Sequence, residues 1–206
     1  MKKNMIALAF VALGLVAFAG QPDKDGKNTT SVKVNVQEST IKWHATKVTG
    51  EHFGNVQLES GDITIQGNAL AGGQFTVDMS TLIVTDLDGE YKTKLEGHLK
   101  SDDFFSTEKN KTALLKIKTV SAIQGAKPGS DNYMIVADLT IKGITKEITF
   151  PAMVVINKEK IIANVSFKIN RAAFDIRYGS RSFFEGLGDK AIDDDFNLKV
   201  RLVANR

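Results

Sequence analysis

From Tyr133 to Leu202 the chain alternates apolar and polar residues in segment after segment, and this period of two limits the fold more than any other feature. Tyr133, Ile135, Ala137, Leu139 and Ile141 share one face of the first segment. Ile148, Phe150, Ala152, Val154 and Ile156 share one face of the next. Ile161, Ala163, Val165, Phe167 and Ile169 follow, and Phe196, Leu198, Val200 and Leu202 close the series. Successive side chains on a strand point to opposite sides, so each segment is a strand with one continuous apolar face. Lys142 to Lys146 and Asn157 to Lys160 are connections of hairpin length.

The earlier half keeps the rhythm. Val32–Val36, Thr40–Val48, Asn55–Leu58, Asp62–Gln66, Gly73–Met79 and Ala113–Ile123 read as strands. One stretch departs from it: Tyr91, Leu95 and Leu99 recur at i, i+4 and i+8, which is helical spacing. This predicts a helix near 89–96 and a short helical turn near 102–106, N-capped by Ser101, with Gly97 interrupting the two. About ten closely spaced strands with one helical insertion point to an all-β, antiparallel barrel of eight or more strands. Closure removes the exposed edges that invite aggregation. No internal repeat, low-complexity tract or second domain is visible.

Residues 1–19 read as a cleavable export signal. Lys2 and Lys3 precede an apolar run from Met5 to Phe18, and Ala17-Phe18-Ala19 offers a small-x-small cleavage site. That run is shorter than the roughly twenty residues a membrane-spanning helix needs. Gln21 stands where a lipobox would place its Cys, and the chain has no Cys at all, so no thioether-linked lipid, disulfide or thiolate site can form. Residues 20–34 read as a flexible lead-in and 35–206 as the barrel domain. The expectation is a periplasmic or secreted protein without a stable membrane anchor. A formal charge of +3, much of it in the leader, gives no reason to expect a nucleic-acid partner.

Catalytic signatures are sparse. His44, His52 and His98 lack any tight metal-ligand spacing, and Asp193-Asp194-Asp195 reads as a solvated turn before the last strand rather than a calcium loop. No nucleophile elbow, P-loop or dinucleotide fingerprint occurs. No catalytic residue, metal site or cofactor is therefore assigned. The pairs Phe104-Phe105 and Phe183-Phe184 fall between strands, where aromatics either cover a core or line the mouth of an apolar cavity. Arg171, Arg177 and Arg181 precede the second pair.

Several motifs carry a resemblance. Gly97-His98-Leu99-Lys100-Ser101-Asp102-Asp103-Phe104-Phe105 resembles the GHLKSxDFF signature of the YceI-like, polyisoprenoid-binding family. Ile41-Lys42-Trp43-His44 with Thr49 to Gly54, Ala137 to Lys146, Ile169 to Phe174 and Leu187 to Phe196 follow in the family's order. Where the family usually has Pro after the Phe pair, this chain has Asn110-Lys111-Thr112. The resemblance spans about residues 35–204 and implies a lipocalin-like barrel holding a long isoprenoid or other apolar lipid. It offers no common catalytic residues.

The expected tail contacts are Phe75, Val77, Leu95, Leu99, Phe104, Phe105, Ile117, Ile135, Leu139 and Phe167, and the expected polar rim is His98, Arg171 and Arg177. Two other readings stay open at this point. One is an exported structural or stress-response interaction protein with a filled barrel, and the other is a hydrolase or isomerase working inside the cavity.

Overall fold

The computed structural model describes residues 28–206. Its strands are β1 (Thr29–Lys33), β2 (Thr40–Lys47), β3 (Gly50–Gln66), β4 (Ala69–Val84), β5 (Thr112–Ala122), β6 (Tyr133–Ile141), β7 (Ile144–Ile156), β8 (Lys160–Asn170) and β9 (Ile192–Asn205). Helix α1 (Gly89–Lys100) lies between β4 and β5. Every neighbour pair is antiparallel, and the order β3-β2-β9-β8-β7-β6-β5-β4 returns to β3, so eight strands close a barrel. The proposed export signal lies outside the described residues.

The strands follow the alternation closely, with instructive departures. Asn55–Leu58 and Asp62–Gln66 are parts of one strand, β3, because the register shifts between Leu58 and Ser60. Such a bulge lets the inward face change phase without ending the strand. β1 begins at Thr29, inside the expected lead-in. It pairs with β3 from Asp62 to Gln66, and Val34 bridges Ala204 of β9, so this segment fills the wall beyond the point where β2 begins. The connection after β6 is only Lys142-Gly143, with φ of 51° and 72°. That left-handed pair makes the tight hairpin turn whose twist matches its strands.

The two ends of the barrel are built differently. At one, called here the tight end, Ile63, Ile65, Ile161 and Ala204 are essentially inaccessible. The other, the helix end, carries α1, the coil after it, the Lys142-Gly143 turn and the long segment from Arg171 to Ala191. Gly54 fixes the wall there. A Cβ at Gly54 would lie 1.9 Å from the Ile83 carbonyl and 2.8 Å from the Trp43 ring, so only glycine lets β3 and β4 approach. Trp43 donates its indole N–H to the same carbonyl at 3.2 Å.

Candidate functional site

Inward-facing side chains leave two apolar spaces along the barrel axis. The one nearer the tight end has a volume of about 110 Å³ and is lined by Phe75, Ile117, Ile135, Phe150, Phe167 and other aliphatic residues. Phe150 and Phe167 stack there, with centroids 4.6 Å apart and planes 16° from parallel. The one nearer the helix end has a volume of about 130 Å³ and is lined by Leu99, Phe104, Phe105, Ile169 and Phe196, among others. Ile41, Val77, Ala113, Leu139 and Leu198 border both spaces, so the two adjoin end to end along one axis, called here the tunnel, with these side chains as its waist. Its lining runs along β9 from Ile192 to Leu202. At about 3.3 Å per residue and a tilt of about 40°, that is roughly 25 Å.

Nine of the ten expected tail residues line this tunnel, and Leu95 does not. Phe75, Ile117, Ile135 and Phe167 line the tight-end space, Leu99, Phe104 and Phe105 the helix-end space, and Val77 and Leu139 both. Leu95 borders a surface groove with Tyr91, His52 and Lys47. Only the last member of the helical stripe, Leu99, therefore reaches the core. Tyr91 is 77% exposed, and no residue of α1 is buried.

The aromatic pair reaches the tunnel because of how α1 ends. The helix continues through Gly97, which costs an exposed helix about 1 kcal/mol but does not break it. Ser101 is its C-cap, not the N-cap of a further turn, and its hydroxyl donates to the His98 carbonyl at 2.8 Å. The chain then coils tightly: Phe105 N–H donates to the Leu99 carbonyl and Ser106 N–H to that of Ser101. This turns Phe104 into the core, while Phe105 stays half-buried.

The three expected rim residues occupy three different environments. His98 lies within α1, not after it, with its ring edge-on to Phe104 at 5.0 Å and to Tyr178 at 4.4 Å. Its Nε2 is 3.5 Å from an Asp103 carboxylate oxygen. Arg177 is on the outside, donating to Asp175 at 2.5 Å and lying over the Phe183 ring. Arg171 is not at an open rim, being only 4% exposed. Its Nε donates to Asp193 O, its Nη1 to Ile176 O and Tyr178 O, and its Nη2 to Ile192 O, all at 2.8–3.0 Å. The planar guanidinium fork thus ties the Arg171–Ala191 segment to the start of β9.

The acidic run is likewise not a turn, because it forms the first residues of β9. The β2–β9 register slips here, so Asp193 borders the helix-end space while Asp194 is partly buried against Arg171. Asp194 Oδ1 is 3.4 Å from Arg171 Nη2, and its other oxygen accepts from Ser182 at 2.6 Å. Burial pushes the Asp194 carboxyl up, but the Ser180 and Ser182 hydroxyls and Arg171 outweigh it and hold it below the usual range. Burial pushes the Arg171 guanidinium down, against the two neighbouring carboxylates. The remaining histidines also meet single carboxylates, His44 with Glu51 at 2.9 Å and His52 with Asp86 at 2.7 Å. Among the described residues no helix is long and apolar enough to cross a membrane.

Comparison with known proteins agrees with this architecture. The model of the YceI-like domain matches residues 31–204. The chain belongs to the YceI-like family. Protein YceI of Escherichia coli O6:H1 is 27% identical over 207 residues, covering 98% of this chain and 90% of the relative. The Escherichia coli O157:H7 protein of the same name is 26% identical, with the same coverage. Among solved structures, Burkholderia cenocepacia BcnA aligns with a TM-score of 0.64 at 19% identity, over 83% of this chain and 99% of its own. A polyisoprenoid binding domain from Saccharophagus degradans, described as implicated in plant cell wall breakdown, aligns with a TM-score of 0.58 at 15% identity, over 84% of this chain and 97% of its own. The YceI-like barrel is thus shared at identities where only the fold is comparable.

Proposed function

We propose that this protein is an exported carrier that holds a long apolar lipid, isoprenoid in type, along the barrel axis. The observation that carries this reading is the pair of adjoining spaces, apolar along most of their length, that meet at a waist of five shared side chains. Its two spaces are each close to the roughly 150 Å³ cavity that takes a single benzene, so the shape suits a slender chain rather than a fused ring system. Each buried CH₂ contributes about 0.8 kcal/mol, so a long tail can bind with few polar contacts. In this reading Phe75, Val77, Leu99, Phe104, Phe105, Ile117, Ile135, Leu139 and Phe167 are the tail contacts. The polyisoprenoid-binding relative supports the ligand class, and the Lys-Lys start with a short apolar run supports export.

Native mass spectrometry of gently purified protein tests the proposal. An added mass removable by organic extraction supports a carrier. A bare chain that also fails to take up an isoprenoid points instead to a filled barrel. Intact mass of the exported protein tests cleavage near Ala19; a chain retaining Met1 to Ala19 overturns that part.

A further inference from the structure

The polar end of the tunnel has a definite sign. Among the described residues, every side chain lining the tight-end space is apolar, and Arg171 and Asp193 are the only ionisable ones lining the helix-end space. At first sight Arg171 invites a phosphate. Four backbone carbonyls already take its N–H groups, and Asp194 lies against the same guanidinium. A guanidinium has five N–H donors in a fixed plane, so almost none is left to offer. Around this guanidinium the carboxylates outnumber it, with Asp193 and Asp194 both beside it. Asp193 accepts from the Thr46 hydroxyl at 2.5 Å, and Asp194 Oδ1 is buried with no hydrogen-bond donor. Outside the tunnel Arg177 is held by Asp175, and Lys142 and Lys190 line the outer groove rather than the tunnel.

An anionic head group drawn into this end would be an unpaired charge in an apolar site beside two like charges. Burying such a charge without a partner is strongly unfavourable. We propose that the lipid held in this tunnel ends in an uncharged head group, such as an alcohol or amide, and that a phosphate or carboxylate at that position is rejected. This rests on the lipid-carrier reading above. It makes Asp193 and Asp194 specificity-determining residues and leaves Arg171 a structural tie.

The test is a titration of the purified protein with a matched pair: a polyprenol and its monophosphate of equal chain length. A headless isoprenoid hydrocarbon serves as the third ligand. The alcohol should bind at least about tenfold more tightly than the phosphate, a difference of about 1.4 kcal/mol. Asp194→Asn should narrow that ratio at least threefold. Because Asp194 also contacts Arg171 and could be needed for folding, exposed Asp193→Asn provides a second variant expected to act in the same direction. Equal or tighter binding of the phosphate overturns this inference alone, as does a ratio unchanged in both folded variants. Failure of all three ligands to bind overturns the lipid-carrier reading and this inference with it.

Discussion

The tight end and the helix end of this barrel enclose the same tunnel by different physical means. At the tight end, aliphatic residues such as Ile63, Ile65 and Ile161 interlock until almost nothing is accessible. At the helix end an apolar cluster that includes Ile169, Phe174 and Ile176 is joined by a buried guanidinium, backbone carbonyls, Asp194 and the ring cluster of His98, Phe104 and Tyr178. Among the described residues, seven of the nine exposed large apolar side chains, Tyr91, Tyr178, Phe183 and Phe184 among them, belong to the helix end, and Met134 and Val155 to the rest. Apolar packing is non-directional and tolerates swaps that conserve volume. A polar tie is all-or-none, since losing one member strands the others. The tight end should therefore act as a fixed floor and the helix end as the part that can open.

The largest test of this difference is Arg171. Arg171→Met keeps much of the volume but leaves four carbonyls and Asp194 without their partner. Breaking a buried pair in this way costs about 3–5 kcal/mol, read as a lowered urea midpoint. Arg171→Lys should recover little, because an ammonium cannot match the planar fork. A loss under about 1 kcal/mol would show that the helix end is held by packing after all.

Next in size are truncations of apolar residues at the two ends. Ile161→Ala at the tight end should cost about 2–5 kcal/mol and leave the rate of lipid loss unchanged. Phe105→Ala, on a half-buried ring, should cost about half of the 3–5 kcal/mol of a fully buried Phe, yet speed lipid release. If both variants released lipid equally, the floor and the opening would not be distinct.

How far this asymmetry could be read from sequence follows from the kind of interaction involved. Strand faces such as Tyr133 to Ile141 were legible because burial follows a strict period of two. Nine of the ten expected positions fall on the tunnel lining, most of them from those faces, two from the Phe104-Phe105 pair and Leu99 from the helix. Leu95 failed because helical spacing indicates a shared face but not what that face meets. The burial of Arg171 was not legible because its partners are backbone carbonyls from two segments, which no side-chain pattern records. β3 was split in two because a bulge leaves polar residues in mid-strand that resemble a turn.

Acid provides a smaller probe of the same difference. Asp86 and Asp194, two partly buried carboxylates held below their ordinary range, both sit at the helix end. For Asp86, burial pushes the group up, but the N–H of Phe53 and the His52 ring outweigh it. A depressed folded-state pKa stabilises the fold above the unfolded value of about 3.9, and that contribution disappears as pH falls through the folded value. Amide exchange below about pH 4 should therefore loosen the helix end before the tight end. Asp194→Asn should be less stable at neutral pH and lose less on acidification. Uniform loosening of both ends would contradict this placement.

The smallest effect concerns α1. Tyr91, Leu95 and Leu99 are evenly spaced along the helix, yet only Leu99 borders the tunnel. If burial rather than spacing decides, truncation to Ala should form a gradient. Leu99→Ala should cost about 1–2 kcal/mol, less than a fully buried Leu, and raise the lipid release rate, because its side chain packs beside Phe104 and Phe105. Leu95→Ala, on a surface groove, should cost under about 1 kcal/mol and leave release unchanged. Tyr91→Ala, at a site 77% exposed, should stay within about 0.5 kcal/mol of the parent. Equal costs at all three positions would mean that the stripe packs as a unit, and α1 would then belong to the floor of the barrel rather than to its opening.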